Sequence, residues 1–130
     1  MKNEMRKQLD NIRMLNEGEV AKSVVTKPTT SQNEMKLGDN FFNKGQYLDA
    51  YRQYKMAQQK EPNYFWAYFN AASSAYNART RQSLQLVPQE IEKSRSILQN
   101  WAGNEKEKSA ATYRLQSLIR GVKNTTRLNI

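Results

Sequence analysis

The sequence predicts an all-α fold of stacked antiparallel helical hairpins, and three observations carry that prediction. Apolar and small residues recur every three or four positions, first at Leu37 and Phe41, then at Tyr47, Ala50, Tyr54 and Ala57, which is the period of amphipathic helices. Gly45 falls between the two runs, where a residue tolerant of positive φ lets the chain reverse, and Pro62 closes the second. The same spacing returns one repeat later at Tyr68, Ala71, Ala72 and Ala75. Gly38 and Ala50 are small where two antiparallel helices would cross closely.

Taken together, Leu37, Gly38, Phe41, Gly45, Ala50, Tyr54, Ala57 and Pro62 resemble the signature of the tetratricopeptide repeat (TPR). Members of that family stack helix-turn-helix units of about 34 residues around a concave, partner-binding face. The resemblance implies a TPR-like α-solenoid of about two repeats plus a C-terminal capping helix. Its first unit spans residues 31–64, with one departure: Glu34 stands where the family usually has a large aromatic or aliphatic side chain.

In chain order, residues 1–16 place Met1, Met5, Leu9, Ile12 and Leu15 on one stripe and predict an N-terminal amphipathic helix. Docking on the repeats, self-association and contact with another protein or a membrane surface are its open roles. The thin stripe, without Trp or Phe, argues for protein over lipid. Residues 17–30, with Gly18, Ser23, Pro28, Thr29 and Thr30, read as a flexible linker. Ser31 then offers a helix cap, with Glu34 as its capping-box partner. The second unit, 65–103, carries a polar insertion near 80–87, after which Pro88 suits a first helical turn. The spacing of Ile91, Ser94, Leu98 and Trp101 comes about ten residues later than the family length implies, which predicts a longer first helix or a protruding loop. Residues 105–123 form a capping helix through Ala111, Leu115, Leu118, Ile119 and Val122, and 124–130 a flexible tail.

Composition narrows the functional classes. The chain of 130 residues has no His and no Cys, which removes the imidazole base, the thiol nucleophile, the usual zinc ligands and any disulfide. Glu90 with Glu92, and Glu105 with Glu107, stand two apart and so on different helix faces, and the five glycines form no phosphate-cradling cluster. The expectation is a protein that is not an enzyme and uses no cofactor or metal. With no signal peptide and no run near the ~20 apolar residues that span a bilayer, a cytoplasmic location is expected.

A protein or peptide partner is the reading that fits the repeats. The resemblance implies a groove lined by first helices, which nominates Met35, Asp39, Phe42 and Asn43 from unit one and Trp66, Phe69, Asn70, Ser73, Tyr76 and Asn77 from unit two. Amides there can bond an extended backbone while aromatics form apolar pockets. Phe69 and Tyr76 keep a second reading as core residues. Some TPR proteins clamp the C-terminal carboxylate of chaperone tails with Lys and Asn. Asn70 matches that clamp, and Arg114 does if the last helix counts as a third unit. Met35 and Asp39 replace the first-unit pair, so such tails are expected not to bind. The formal charge of +9 supports an alternative. Arg114, Arg120, Lys123 and Arg127 follow Glu107 without a single carboxylate, a patch for an acidic partner or for nucleic acid.

Overall fold

The structure is a computed structural model that describes residues 30–130, and residues 31–130 form one compact unit. The predicted N-terminal helix at 1–16 and all but the last residue of the linker at 17–30 lie outside the described residues. Among those described, the fold is all-helical: α1 (Gln32–Asn43), α2 (Tyr47–Lys60), α3 (Phe65–Ala78), the short α4 (Arg81–Leu84), α5 (Val87–Gln99) and α6 (Glu105–Thr125). No helix among them is long and apolar enough to cross a membrane.

The α1–α2 hairpin closes on a ring set against a glycine. A Cβ at Gly38 would fall 2.7 Å from Cζ of the buried Tyr54, so only hydrogen lets the helices approach this closely. Gly45 serves the turn differently: a side chain there would meet nothing, but its φ of 77° is one that glycine adopts freely. The hairpin ends are pinned by charge rather than by the expected capping box. Glu34 reaches across to Lys60 at 2.7 Å, and the Ser31 hydroxyl and backbone N–H both donate to Glu61 Oε1. Antiparallel pairing brings the start of α1 beside the end of α2, and that proximity captures both groups before they can close on their own helix.

Helix α3 is the centre of the unit formed by residues 31–130. Phe65, Ala67, Tyr68, Phe69, Ala71, Ala72, Ser74 and Ala75 are buried over most of its circumference, as a helix covered on several sides requires, and the face of Trp66, Asn70, Ser73 and Asn77 is only half-buried. Ala71 packs with Ala50 and Tyr54 of α2, while Phe65, Phe69, Ala72 and Ala75 join Val87 and Ile91 of α5 and Ala111, Leu115 and Val122 of α6. Arg79, at φ 58°, ends α3 in a left-handed conformation and lies 4.3 Å over the Tyr76 ring.

The insertion is a compact helical turn. Thr80 Oγ1 accepts from the Ser83 N–H at 2.9 Å and Ser83 Oγ accepts from the Thr80 N–H at 3.0 Å, a reciprocal box that makes α4. The delay in the second unit is smaller than the sequence spacing implies. Val87, Ile91 and Ser94 carry the buried pattern of Ala50, Tyr54 and Ala57, and each pair is 37 positions apart (87 − 50, 91 − 54, 94 − 57), three more than the family length of about 34. Counting from Leu98 and Trp101 overstates the delay, because these half-buried residues belong to the end of α5 and the turn after it.

One carboxylate ties the two halves together. Glu90 of α5 is 2% exposed, and its Oε2 accepts from Tyr51 Oη and Lys55 Nζ, each at 2.9 Å. Its Oε1 accepts from Gln58 Nε2 at 2.9 Å, and that amide also donates to the Ala67 carbonyl of α3 at 3.2 Å. Helix α6 starts on an Asn104 cap, whose Oδ1 accepts from the Glu107 N–H, and runs parallel to α3. Arg114 lies over Trp66 and Phe69, and further along Tyr76 Oη donates to the Gly121 carbonyl at 3.3 Å. The helix continues to Thr125, two residues past its expected end, and Leu128 and Ile130 pack against the core where a flexible tail was expected.

Candidate functional site

Since α1, α3 and α6 run the same way, they line a common groove of about 620 Å3. Met35, Asp39, Phe42 and Asn43 form its α1 wall, and Trp66, Phe69, Asn70 and Ser73 its α3 floor, with Tyr54, Tyr64 and Arg114 completing it. Helical period explains the grouping. Positions 35, 39, 42 and 43 share one face of α1, and 66, 69, 70 and 73 one face of α3, whose opposite face is committed to α2 and α5.

The floor is built from interlocked rings. Phe65 meets Trp66 edge-on at 4.8 Å, and Trp66 meets Phe69 the same way at 5.6 Å, so the buried Phe65 holds the groove aromatics in place. Phe42 packs edge-on against Tyr47 at 5.1 Å across the first turn. Arg114 spreads its guanidinium 5.3 Å from the Phe69 centroid and 5.8 Å from that of Trp66, where the negative ring faces favour a cation. It makes no ion pair with another described residue.

Across the groove, Asp39 Oδ1 accepts from Tyr54 Oη at 2.6 Å. Burial, then the hydrogen bond and charge of Asp39, push the Tyr54 hydroxyl well above the ordinary tyrosine range, so it stays protonated and donating at neutral pH. Tyr64 is raised as well, by burial first and then by Glu61, Asp39 and Glu107, which marks a negative field at that end. The groove therefore has an acidic wall, an aromatic floor with amide and hydroxyl groups, and a cation on the far wall. Among the described residues that line it, no acid and base are paired to move a proton. Among the described residues no cluster of acids suits a metal ion.

Of the residues nominated from sequence, the structure brings Met35, Asp39, Phe42, Asn43, Trp66, Phe69, Asn70 and Ser73 together, and Phe69 is at once groove floor and core. It sets Tyr76 and Asn77 elsewhere. The Tyr76 hydroxyl is engaged by Gly121 and Thr125, and the Asn77 amide folds back onto the Ser73 carbonyl at 2.7 Å. The four basic residues nominated near the C-terminus do not form one patch: Arg114 lines the groove, whereas Arg120, Lys123 and Arg127 are exposed outside its lining. Tyr54 and Tyr64 were missed. Tyr54 counts as core by spacing, and only its hydroxyl reaches the groove; Tyr64 precedes a helix, where periodicity says nothing. Arg114 had one signal, its match to a clamp position once α6 is counted as a third first helix.

A smaller hollow of about 370 Å3 lies beside the end of α5, among Asn63, Lys93, Ile97 and Trp101. It lacks the groove's facing walls of opposite charge. Comparison with protein-family models, with curated proteins and with solved structures finds no match to this chain.

Proposed function

We propose that this chain is a non-catalytic protein-interaction module, an adaptor or assembly subunit of TPR-like design, that binds an extended peptide of a partner protein across α1, α3 and α6. The observation that carries the reading is the convergence of three parallel helices on one groove whose floor is aromatic and whose walls carry amides and charge. Asn43 and Asn70 make no side-chain hydrogen bond to another described residue, which leaves their amides for a peptide backbone. The alternation of α1, α3 and α6 with α2 and α5 supports the TPR-like design, as does the spacing that resembles it. The absence of His and Cys supports the non-catalytic part.

The test is selection of peptides from a displayed random library against the intact chain, followed by Kd measurement with a Phe42→Ala, Asn70→Ala variant. Selected peptides should bind the native chain and lose about tenfold or more on the double variant, with helical circular dichroism unchanged. Equal binding by both proteins refutes the groove as the site.

One observation favours a second reading, a nucleic-acid binder. Arg79, stacked on Tyr76, stands beside the C-terminal part of α6, since the Tyr76 hydroxyl bonds Gly121 and Thr125 there; Lys123 and Arg127 flank that segment. Three to four phosphate contacts by this end would give a log–log salt slope of roughly −2 to −4. A flat salt response, or no binding at low salt, removes this reading.

A further inference from the structure

Resting on the groove reading, we infer that the groove selects by charge: it takes a peptide that carries a basic side chain for Asp39 and an acidic side chain for Arg114, with an apolar side chain between them for Trp66 and Phe69. The argument is one of placement. Asp39 and Arg114 line the same cleft from different helices, α1 and α6, with α3 supplying the floor between them. Each is contacted by its neighbours without being neutralised by another described residue. Tyr54 engages one oxygen of Asp39 and leaves the other to a donor. The Arg114 guanidinium lies 5.8 Å from the Trp66 ring centroid and 5.3 Å from that of Phe69, and it pairs with no carboxylate among the described residues.

Geometry limits the length of the recognised segment. Two interhelical spacings of about 8–10 Å separate the axes of α1 and α6. An extended chain advances about 3.3–3.6 Å per residue, so the two charged side chains fall roughly four to six residues apart. A uniformly acidic peptide would gain at Arg114 and be repelled at Asp39, and a uniformly basic one the reverse. Charge therefore selects against both, which is discrimination by repulsion as well as attraction.

The experiment uses the full chain and end-capped, fluorescein-labelled octapeptides. In one series Lys and Glu are separated by three to five positions filled with Leu and Ser; in two others Lys or Glu is replaced by Gln. The matched peptides should bind about three- to tenfold more tightly than either neutralised series. Asp39→Asn is the informative variant, because its side-chain oxygen still accepts from Tyr54 while the charge is gone. It should erase the preference for Lys and leave that for Glu. Arg114→Gln should do the converse, with circular dichroism of both variants matching the native chain. If peptides bind but the three series are alike, or the Lys preference survives Asp39→Asn, the charge selection is refuted while the groove reading stands. If no peptide binds and library selection also yields none, both fall.

Discussion

Replacing Glu90 by Ala should loosen the join between the two hairpins more than any surface change in this protein. The carboxylate is 2% exposed and receives three donors from α2: Tyr51, Lys55 and Gln58, each at 2.9 Å. Truncation would strand them unequally. Lys55, 41% exposed, turns to water, so its ion pair contributes little beyond the usual surface value of about 0–1 kcal/mol. Gln58 keeps its bond to the Ala67 carbonyl but loses its second acceptor in a buried setting, and Tyr51 loses the only acceptor its hydroxyl has among the described residues. A buried polar group left unsatisfied costs about 1–3 kcal/mol, so the sum comes to roughly 3 kcal/mol. For a unit of this size that is a fall in Tm of roughly 10–20 °C. Glu90→Gln keeps one carbonyl oxygen as acceptor and should lose about half as much. Thermal and urea melts followed by circular dichroism should rank native above Glu90→Gln above Glu90→Ala. An alanine variant within about 0.5 kcal/mol of native, or one more stable than the glutamine variant, would refute the claim that this carboxylate clamps α5 to α2.

Other outcomes are as direct. Gly38→Ala sets a methyl against the Tyr54 ring and should cost about 1–3 kcal/mol, read as a lower urea midpoint with unchanged slope. Gly45→Ala meets no atom but must hold φ near 77°, for about 1–2 kcal/mol, and combining it with Tyr54→Phe should be additive. Alkali should unfold the chain early. The Tyr51, Tyr54, Tyr64 and Tyr68 hydroxyls are all raised above the ordinary tyrosine value of about 10, with burial the leading cause in each. Unfolded chains release these protons near pH 10 while the folded protein retains them, so the unfolded state then binds fewer protons and stability falls as pH rises. The urea midpoint should be lower at about pH 11 than at about pH 8, with the tyrosinate absorbance of these four appearing together with loss of helix; ionisation of more than three of the seven tyrosines at full helicity would refute the buried-hydroxyl account.

The helices were legible because their causes are local. Apolar period three to four, Gly45 at the reversal, and Pro62 and Pro88 at the boundaries act within a turn or two of chain, and α1, α2, α3, α5 and α6 follow from them. The groove was partly legible for the same reason: residues on one helix face stay together wherever the helix goes, which is why Met35 through Asn43 and Trp66 through Ser73 arrive as sets. What failed locally failed for a long-range reason. Ser31 and Glu34 have the spacing of a capping box, yet Glu61 and Lys60, brought close by the hairpin, take both groups. Tyr76 has the period of a groove residue, yet α6 arrives with acceptors at Gly121 and Thr125 and draws its hydroxyl away.

The order of residues determined that this chain is helical, where each helix turns, which faces are apolar, and that no histidine or cysteine chemistry is open to it. Only the tertiary structure decided which polar groups meet. Glu90 became the centre of a buried network, Arg114 left its basic neighbours for Trp66 and Phe69, and Asp39 came to face it across a groove. The division is physical: periodicity and turn chemistry act over a few residues, whereas a charge or a hydroxyl settles on whatever partner the packed helices bring within about 3 Å.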